Sequence, residues 1–265
     1  MKRFLYLLII LLSTGAWTQR DPLPLNRCSN FNPPGYIPGT RLKNKNIVPI
    51  CRQGYYTEVD IDAKIPSYVS YVLTPEHSTG CIARSNAFAR DNSLTKDKSA
   101  SPTDYAHSGY DIGHMSPDGD NAWDKQVELE SFLLTNMCPQ LPGFNRGIWK
   151  LLESHVRAWA LERNHDLIII SGPVYDIKKD QMIGSGIDVP SGFYKIIIDT
   201  KTNESLAFLF PHKENLGKDL SKFITNVRDI ESKTGILFHI ASLEDKELWP
   251  VDLGQYTKTK KKICK

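Results

Sequence analysis

The sequence has no large excess of charge of one sign and no apolar run long enough to cross a membrane. Its 33 Lys and Arg residues nearly balance 30 Asp and Glu residues, which gives a formal charge of +3 over 265 residues. This balance excludes a uniformly basic protein of the histone kind, so any affinity for nucleic acid must come from a local patch. Apolar residues at 40% and charged residues at 24% exclude a mostly disordered chain.

Several common catalytic motifs are also absent. The chain contains no HExxH zinc pair, no phosphate-binding P-loop, no GxGxxG loop and no GxSxG nucleophile elbow. These absences argue against the usual zinc proteases, P-loop nucleotide hydrolases, dinucleotide-dependent dehydrogenases and serine hydrolases.

The longest apolar run lies at the N-terminus. Lys2 and Arg3 precede the nine apolar residues Phe4–Leu12, and small residues follow. A membrane-spanning helix needs about 20 apolar residues, so this run predicts a signal peptide over residues 1–18 rather than a membrane anchor. We therefore expect a protein that is secreted or periplasmic.

Five cysteines fit an oxidising compartment, and the odd number predicts two disulfides and one free thiol. The sequence does not determine the pairing. Cys138 has apolar neighbours and is expected to be the buried free thiol. We then expect Cys28–Cys51 to link the N-terminal segment and Cys81–Cys264 to tie the C-terminal tail to the body. The basic C-terminal tail, with five lysines in its last eight residues, is interpreted as a solvated end.

The rest of the chain predicts one α+β domain. Residues 19–66, rich in Pro, Asn and Gly, predict an irregular N-terminal arm, and residues 67–265 predict the domain itself. The predicted strands are Ser67–Leu73, Leu167–Ser171, Phe193–Asp199, Leu206–Phe210 and Ile236–Ile240. The predicted helices are Trp123–Thr135, Arg146–Arg163 and Gly217–Ser232, and residues 91–109 are predicted as a loop. Strands and helices do not alternate regularly, so we predict a central mixed or antiparallel sheet flanked by helices.

The candidate chemical groups lie between residues 105 and 153. Taken singly, each has an ordinary explanation: His114 is one of seven histidines, Asn145 an N-cap, Asn136 a turn residue and Glu153 a solvated charge. Taken together, a helix that begins at Asn145 would place Asn145, Trp149 and Glu153 on one face. An amide oxygen with water molecules suits Mg²⁺, and a nearby histidine outside any zinc cluster suits a general base.

The same residues resemble the motifs of the DNA/RNA non-specific endonucleases, the ββα-metal nucleases that include mitochondrial endonuclease G. The family's Asp-Arg-Gly-His corresponds to Asp111-Ile112-Gly113-His114, its Asn-x-x-Pro-Gln to Asn136–Gln140, and its Asn-x-x-x-Trp-x-x-Leu-Glu to Asn145–Glu153. Arg84 with Phe88 and Asp91, and the strand end Ile168–Pro173, match two further motifs. The similarity covers roughly residues 66–245, which is most of the chain.

This resemblance implies a ββα-metal motif with Arg146–Arg163 as its helix, and it implies a role for each matched residue. His114 would be the general base, Asn145 the direct ligand of Mg²⁺, with Mn²⁺ as a substitute, and Arg84 the group that binds the phosphate. Glu153 would hold a water molecule of the metal, and Asn136 would support the site by hydrogen bonding. Asp111 would be structural, fixing the strand and turn that present His114.

Ile112 departs from the family motif, in which an arginine faces the substrate phosphate. Arg146, next to the expected metal ligand, is the candidate substitute. The expected function is hydrolysis of DNA and RNA with little base specificity, since phosphate contacts carry no sequence information. The alternatives are a nucleic-acid binding or uptake protein with weakened chemistry, and a phosphodiesterase acting on small diesters. The family includes dimers, so a homodimer is compatible with the resemblance.

Overall fold

A seven-stranded antiparallel sheet forms the centre of the molecule. The computed structural model describes residues 19–31, 46–175 and 181–238. The strands are β1 (Ile47–Cys51), β2 (Tyr56–Asp60), β3 (Ile65–Leu73), β4 (Asp111–His114), β5 (Met137–Gln140), β6 (Leu167–Val174), β7 (Met182–Ile183), β8 (Ile187–Asp188), β9 (Gly192–Asp199), β10 (Ser205–Pro211) and β11 (Ile224–Thr225). The large sheet has the order β1-β2-β3-β6-β9-β10-β11, while β4 pairs with β5 and β7 pairs with β8.

Most helices are short. The α-helices are α1 (Pro102–Tyr105), α2 (Asp118–Asn121), α3 (Lys125–Ser131), α4 (Pro142–Phe144), α5 (Lys150–Arg163) and α6 (Val227–Thr234). Five 3₁₀ helices span Leu25–Phe31, His77–Thr79, Lys96–Lys98, Leu134–Asn136 and Leu220–Phe223 among the described residues. No helix in the described part of the chain has both the length and the apolar character needed to cross a membrane.

The large sheet separates two hydrophobic clusters, because successive side chains of a strand point to opposite faces. In β6, Leu167 and Ile169 belong to the cluster that includes the apolar side of α5. Ile168 and Ile170 belong to the opposite cluster, which includes Val227 of α6. Each face of the sheet therefore carries its own core, and α5 covers only one of them.

The strands β4 and β5 and the helix α5 form a compact unit on that covered face. β4 and β5 pair antiparallel, with His114 opposite Met137. A π-helical turn, Asn145–Trp149, leads into α5, and Trp149 is fully buried in the core. Together with the antiparallel sheet and its flanking helices, this unit confirms the predicted α+β class with a ββα motif.

The predicted irregular arm is partly wrong, because two strands of the large sheet lie inside it. β1 and β2 form a hairpin over Ile47–Asp60 that extends the sheet beyond β3. Every residue of β2 is buried, so its sequence lacks the polar and apolar alternation that reveals a half-buried strand. The predicted strand Ser67–Leu73 is confirmed within β3.

The helix predictions have mixed outcomes. Arg146–Arg163 and Trp123–Thr135 correspond to α5 and α3, although α5 begins later and α3 is shorter. The single helix predicted over Gly217–Ser232 is wrong, since a 3₁₀ turn, the strand β11 and the helix α6 occupy it. Residues 236–238 form no strand, and the rest of the predicted strand Ile236–Ile240 lies outside the described residues.

Two of the cysteine predictions are confirmed. Cys28 and Cys51 form a disulfide, and Cys138 is a buried free thiol. Cys81 is also disulfide-bonded. Its predicted partner Cys264 lies outside the described residues, as do residues 1–18 and the basic tail.

Candidate active site

His114, the last residue of β4, lies at the wall of a surface cavity and is held by aromatic side chains. Its ring centroid is 5.7 Å from that of Phe88 and 5.0 Å from that of Phe132. Its backbone oxygen accepts a hydrogen bond of 3.1 Å from the indole nitrogen of Trp149, which ties β4 to the start of α5. The Nε2 atom is buried and has no hydrogen-bond partner among the described residues. A buried nitrogen without a partner is uncommon and indicates a ligand position.

Electrostatics keep this histidine neutral. Burial, together with the positive charge of Arg84, lowers the pKa of His114 to about 3. A neutral imidazole has a free lone pair, so His114 is in the state that can accept a proton at neutral pH.

Asn136 supports the backbone behind His114 rather than the cavity itself. Its amide nitrogen donates to the backbone oxygens of Ser116 and Ser131, both at 2.8 Å. Its amide oxygen accepts a bond of 2.8 Å from the backbone nitrogen of Ser116. The side chain is fully buried, and all its hydrogen-bonding groups are used. Asn136 therefore fixes the chain that follows β4 and does not line the cavity.

Asn145 begins the π-helical turn at the end of α4. Gly147, in the middle of this turn, departs from helical geometry with φ −96° and ψ −111°. The turn places Trp149 in the core, whereas Asn145 and Glu153 line the cavity. The predicted common face thus holds for Asn145 and Glu153 but not for Trp149. Local π geometry of this kind often marks functional positions in helices.

The carboxylate of Asp111 orients two of these residues. It accepts a hydrogen bond of 2.9 Å from the amide nitrogen of Asn145, which leaves the amide oxygen available as a ligand. It also accepts bonds of 2.8 and 2.5 Å from the guanidinium of Arg146, whose side chain is 72% exposed. The expectation that Asp111 only fixes the strand and turn is therefore too narrow, since its carboxylate contacts the site directly.

Arg84 lies on the other side of His114. Its guanidinium lies over the ring of Phe132 at 4.8 Å, and its Nε donates to Asn86 at 2.7 Å. One Nη atom lies 3.3 Å from a carboxylate oxygen of Asp118. The second oxygen of Asp118 is buried without a partner in the described structure, and burial raises the pKa of Asp118 despite the opposing charge of Arg84. The contact is long and partly exposed, so it leaves Arg84 available to a phosphate.

Behind Glu153 lies a layer of buried charges that no sequence pattern predicted. Burial raises the pKa of Glu153, while the positive charges of Lys195 and Arg157 act in the opposite direction. Arg157 donates to Asp120 at 2.6 Å. Lys195, fully buried on β9, donates to Ser171 at 2.5 Å and lies over the Trp149 ring at 4.5 Å. These cations offset part of the cost of burying the Glu153 carboxylate, although burial remains the larger effect.

The cavity itself has a volume of about 550 Å³. Five of the six site residues predicted from the sequence line it, all except Asn136: His114, Arg84, Asn145, Arg146 and Glu153. Sequence reasoning missed three charged lining residues: Asp118, Lys150 and Arg157. Lys150 and Arg157 share the helical spacing of Arg146 and Glu153, which was a usable signal. Asp118 had no comparable signal.

The donor set fits a hard, largely hydrated cation rather than zinc. In the described parts of the chain, no cluster of three or more His, Cys, Asp or Glu side chains is placed to hold a metal ion. The amide oxygen of Asn145 and the nearby carboxylate of Glu153 are oxygen donors of the kind that Mg²⁺ prefers while retaining most of its water. The residues present therefore fit one Mg²⁺ ion.

Comparison with known proteins gives consistent matches. A family model described as DNA/RNA non-specific endonuclease matches residues 32–245. The mitochondrial nuclease EXOG of Mus musculus is 31% identical over 193 residues, which cover 66% of this chain and 52% of that protein. Mitochondrial nuclease 1 of Schizosaccharomyces pombe is 30% identical over 204 residues, covering 69% and 63%. The chain thus spans roughly half to two thirds of the length of these relatives.

A solved structure shares the fold. The crystal structure of the EndoG/EndoGI complex, which concerns the mechanism of EndoG inhibition, contains a chain that superposes with a TM-score of 0.68 at 26% identity. The match covers 83% of this chain and 92% of that chain. The likeness therefore includes nearly the whole of the compared molecule.

The prediction of a secreted or periplasmic protein is contradicted by these comparisons. The similar proteins from Mus musculus, Schizosaccharomyces pombe, Homo sapiens and Saccharomyces cerevisiae are all named as mitochondrial nucleases. The N-terminal run on which the prediction rested lies within residues 1–18, outside the described part of the chain.

Proposed function

Because the chain belongs to the DNA/RNA non-specific endonuclease family, we propose that it hydrolyses phosphodiester bonds within DNA and RNA and uses Mg²⁺ as its cofactor. The observation that carries the proposal is the buried, unpartnered Nε2 of His114 at the wall of a cavity that Asn145, Glu153 and Arg84 also line. A neutral base, an oxygen-donor metal site and a guanidinium together supply proton transfer, charge stabilisation and phosphate binding for phosphodiester hydrolysis.

His114 performs the proton transfer. Its Nε2 accepts a proton from a water molecule that attacks the phosphorus atom. The low pKa of the free site makes His114 a weak base, but a bound phosphodiester adds negative charge beside the ring and engages Arg84, and both effects raise the pKa. The base therefore gains strength when the substrate is in place.

The remaining residues bind and orient. Arg84 gives up its long contact with Asp118 and binds a phosphate oxygen, where its planar guanidinium matches the phosphate geometry. Asp111 holds the Asn145 amide so that its oxygen is directed away from the strand. When bound, Mg²⁺ would be held by Asn145 directly and by Glu153 through water, and it would supply positive charge that stabilises the leaving 3′ oxygen.

The test is cleavage of plasmid DNA and of RNA by the purified protein with Mg²⁺. We expect cleavage of both, no cleavage in excess EDTA, and a rate at least a hundredfold lower for His114→Ala. His77→Ala, which alters a histidine outside the cavity that stacks on Trp123, is the matched control and should cleave normally.

Three outcomes would contradict the proposal. A His114→Ala protein with the wild-type rate would remove His114 from the role of base. A wild-type protein that shifts DNA in a gel but does not cleave it in Mg²⁺ or Mn²⁺ would identify a binding protein. Hydrolysis of bis-nitrophenyl phosphate without cleavage of polynucleotides would identify a phosphodiesterase for small diesters.

A further inference from the structure

A second groove lies directly beside the active-site cavity. It has a volume of about 540 Å³ and shares two walls with that cavity, Arg146 and Lys150. Its inner side is formed by residues of α4, of the π-helical turn and of α5, namely Gly143, Gly147, Leu151 and Ser154. Its outer side is formed by residues 215–218 of the loop after β10. None of the residues specific to this groove has a role in the catalytic proposal above.

The side chains that line this groove suit an anionic ligand. Its charged lining residues, Arg146, Lys150 and Lys218, are all cationic and exposed. Lys218 makes no ion pair within the described ranges of the chain. Leu151 and Leu216 are partly buried against the core and give the groove an apolar floor. A cationic rim above an apolar floor fits a polynucleotide, whose phosphates are anionic and whose sugars and bases present apolar surface.

One acidic group limits the extent of this positive surface. Glu214 lies beside Gly143, since a Cβ atom at Gly143 would approach its carboxylate to 1.8 Å. The hydrogen bond and charge of Asp111 raise the pKa of Arg146, and the charge of Glu214 adds a smaller effect in the same direction. Arg146, Lys150 and Lys218 therefore outnumber one carboxylate, Glu214, which lies at the Gly143 side of the groove.

We propose that this second groove binds the nucleotides that flank the scissile phosphate on the cleaved strand. The inference rests on the proposed nuclease function and adds the path that the bound strand takes away from the active-site cavity. Arg146 and Lys150 lie where the two cavities meet, so a strand held at His114 passes them before it reaches Lys218. Such contacts add affinity without base specificity.

The experiment measures binding separately from cleavage. His114→Ala protein with Mg²⁺ is titrated with a labelled single strand of about 12 nucleotides and with a labelled dinucleotide. Adding Lys218→Glu should raise the Kd for the longer strand about fivefold or more and leave the Kd for the dinucleotide within twofold. Adding Lys218→Ala should reduce the slope of log Kd against log salt concentration by about one.

Two further variants separate the groove from general surface charge. Lys222→Glu reverses an exposed lysine four residues away that pairs with Asp219 and lies outside the groove, and it should not change the Kd for either ligand. Asn215→Asp places a negative charge inside the groove with little change of shape, at a position whose φ of 56° an aspartate tolerates. Asn215→Asp should raise the Kd for the longer strand, as Lys218→Glu does.

The possible results are distinct. Equal Kd values for His114→Ala with and without Lys218→Glu would overturn the inference, as would equal weakening by Lys218→Glu and Lys222→Glu. If the wild-type chain binds the strand but does not cleave it, the proposed function fails while the groove is still supported by its Lys218 dependence. If the effect of Lys218→Glu is as large for the dinucleotide, the groove does not bind flanking nucleotides.

Discussion

At the scale of single residues, Ile112 is the position where this chain departs most clearly from the family motif. Ile112 is partly buried against the core and lines the cavity without contributing charge. Arg146 lines the same cavity, with its guanidinium held at 2.5 Å by Asp111, the residue before Ile112. The contact is bidentate and only its arginine side is exposed, at 72%, so a phosphate reaches this guanidinium from the solvent side while Asp111 holds it in place. Arg146 is thus placed to supply the charge that Ile112 does not.

A double-mutant cycle tests this replacement. Arg146→Ala should lower kcat/KM for plasmid DNA by about ten- to a hundredfold, because one cation near the transition-state charge is lost. Arg146→Lys should recover less than half of that loss in free-energy terms, since an ammonium lacks the planar fork. Adding Ile112→Arg to Arg146→Ala should restore a large part of the activity. Independent, additive effects of the two changes would contradict the replacement.

The sequence identified the residues of the reaction better than the residues that hold them in place. His114, Asn145 and Glu153 follow a spaced motif, and the structure brings them to one cavity. The role of Lys195 near the site was not predictable. Lys195 lies in an apolar strand, and only the folded protein brings it to Trp149 and Ser171. The orienting contact from Asp111 to Asn145 also depends on two segments that only the fold brings together.

At the scale of elements, pairing with distant strands determines the secondary structure of segments whose local sequence pattern did not predict it. β2 is buried on both faces, and β11 exists because Ile224 and Thr225 pair with β10. The apolar spacing over Gly217–Ser232 favoured a continuous helix, but Asn226 caps a new helix by accepting the backbone N–H of Asp229. The longest helix, α5, was predictable because its amphipathic pattern extends over several turns.

His212 joins three connecting segments of the chain through a single neutral ring. Its Nδ1 donates to the backbone oxygen of Pro190 at 2.8 Å, and its Nε2 accepts from the backbone nitrogen of Leu141 at 2.7 Å. Leu141 in turn accepts a bond of 2.9 Å from the backbone nitrogen of Asn145. Burial lowers the pKa of His212, while its bond to Pro190 and the charge of Glu214 act in the opposite direction. The turn that begins at Asn145 therefore depends on an uncharged His212.

This arrangement predicts a loss of stability in mild acid. The folded pKa lies below the unfolded value of about 6.5, so the unfolded chain takes up the proton more readily as pH falls below that value. His212→Gln keeps a donor and an acceptor but does not titrate. In urea unfolding, the free energy of unfolding of the wild type should exceed that of His212→Gln by about 1 kcal/mol at neutral pH. This difference should shrink toward pH 5. A difference that does not change with pH would contradict the prediction.

At the scale of the whole molecule, the candidate active site and the Cys28–Cys51 disulfide lie on opposite faces of the large sheet. The residues that line the active-site cavity approach from β4, α5 and their neighbouring turns, on the face covered by the first hydrophobic cluster. Cys28 and Cys51 belong to the opposite cluster, where they connect the N-terminal 3₁₀ helix to the edge strand β1. Stability and catalysis should therefore respond separately to changes on the two faces.

Removal of this disulfide tests that separation. The two cysteines are 23 residues apart, and a loop of this length restricts the unfolded chain by about 3 kcal/mol. The double variant Cys28→Ala/Cys51→Ala should lose about that much free energy of unfolding under non-reducing conditions, while kcat/KM per folded molecule changes less than about twofold. Loss of kcat/KM at a temperature where circular dichroism shows the variant folded would mean that the N-terminal segment acts through the sheet on the site. Unchanged stability would mean that the contacts of β1 hold this edge of the sheet without the covalent link.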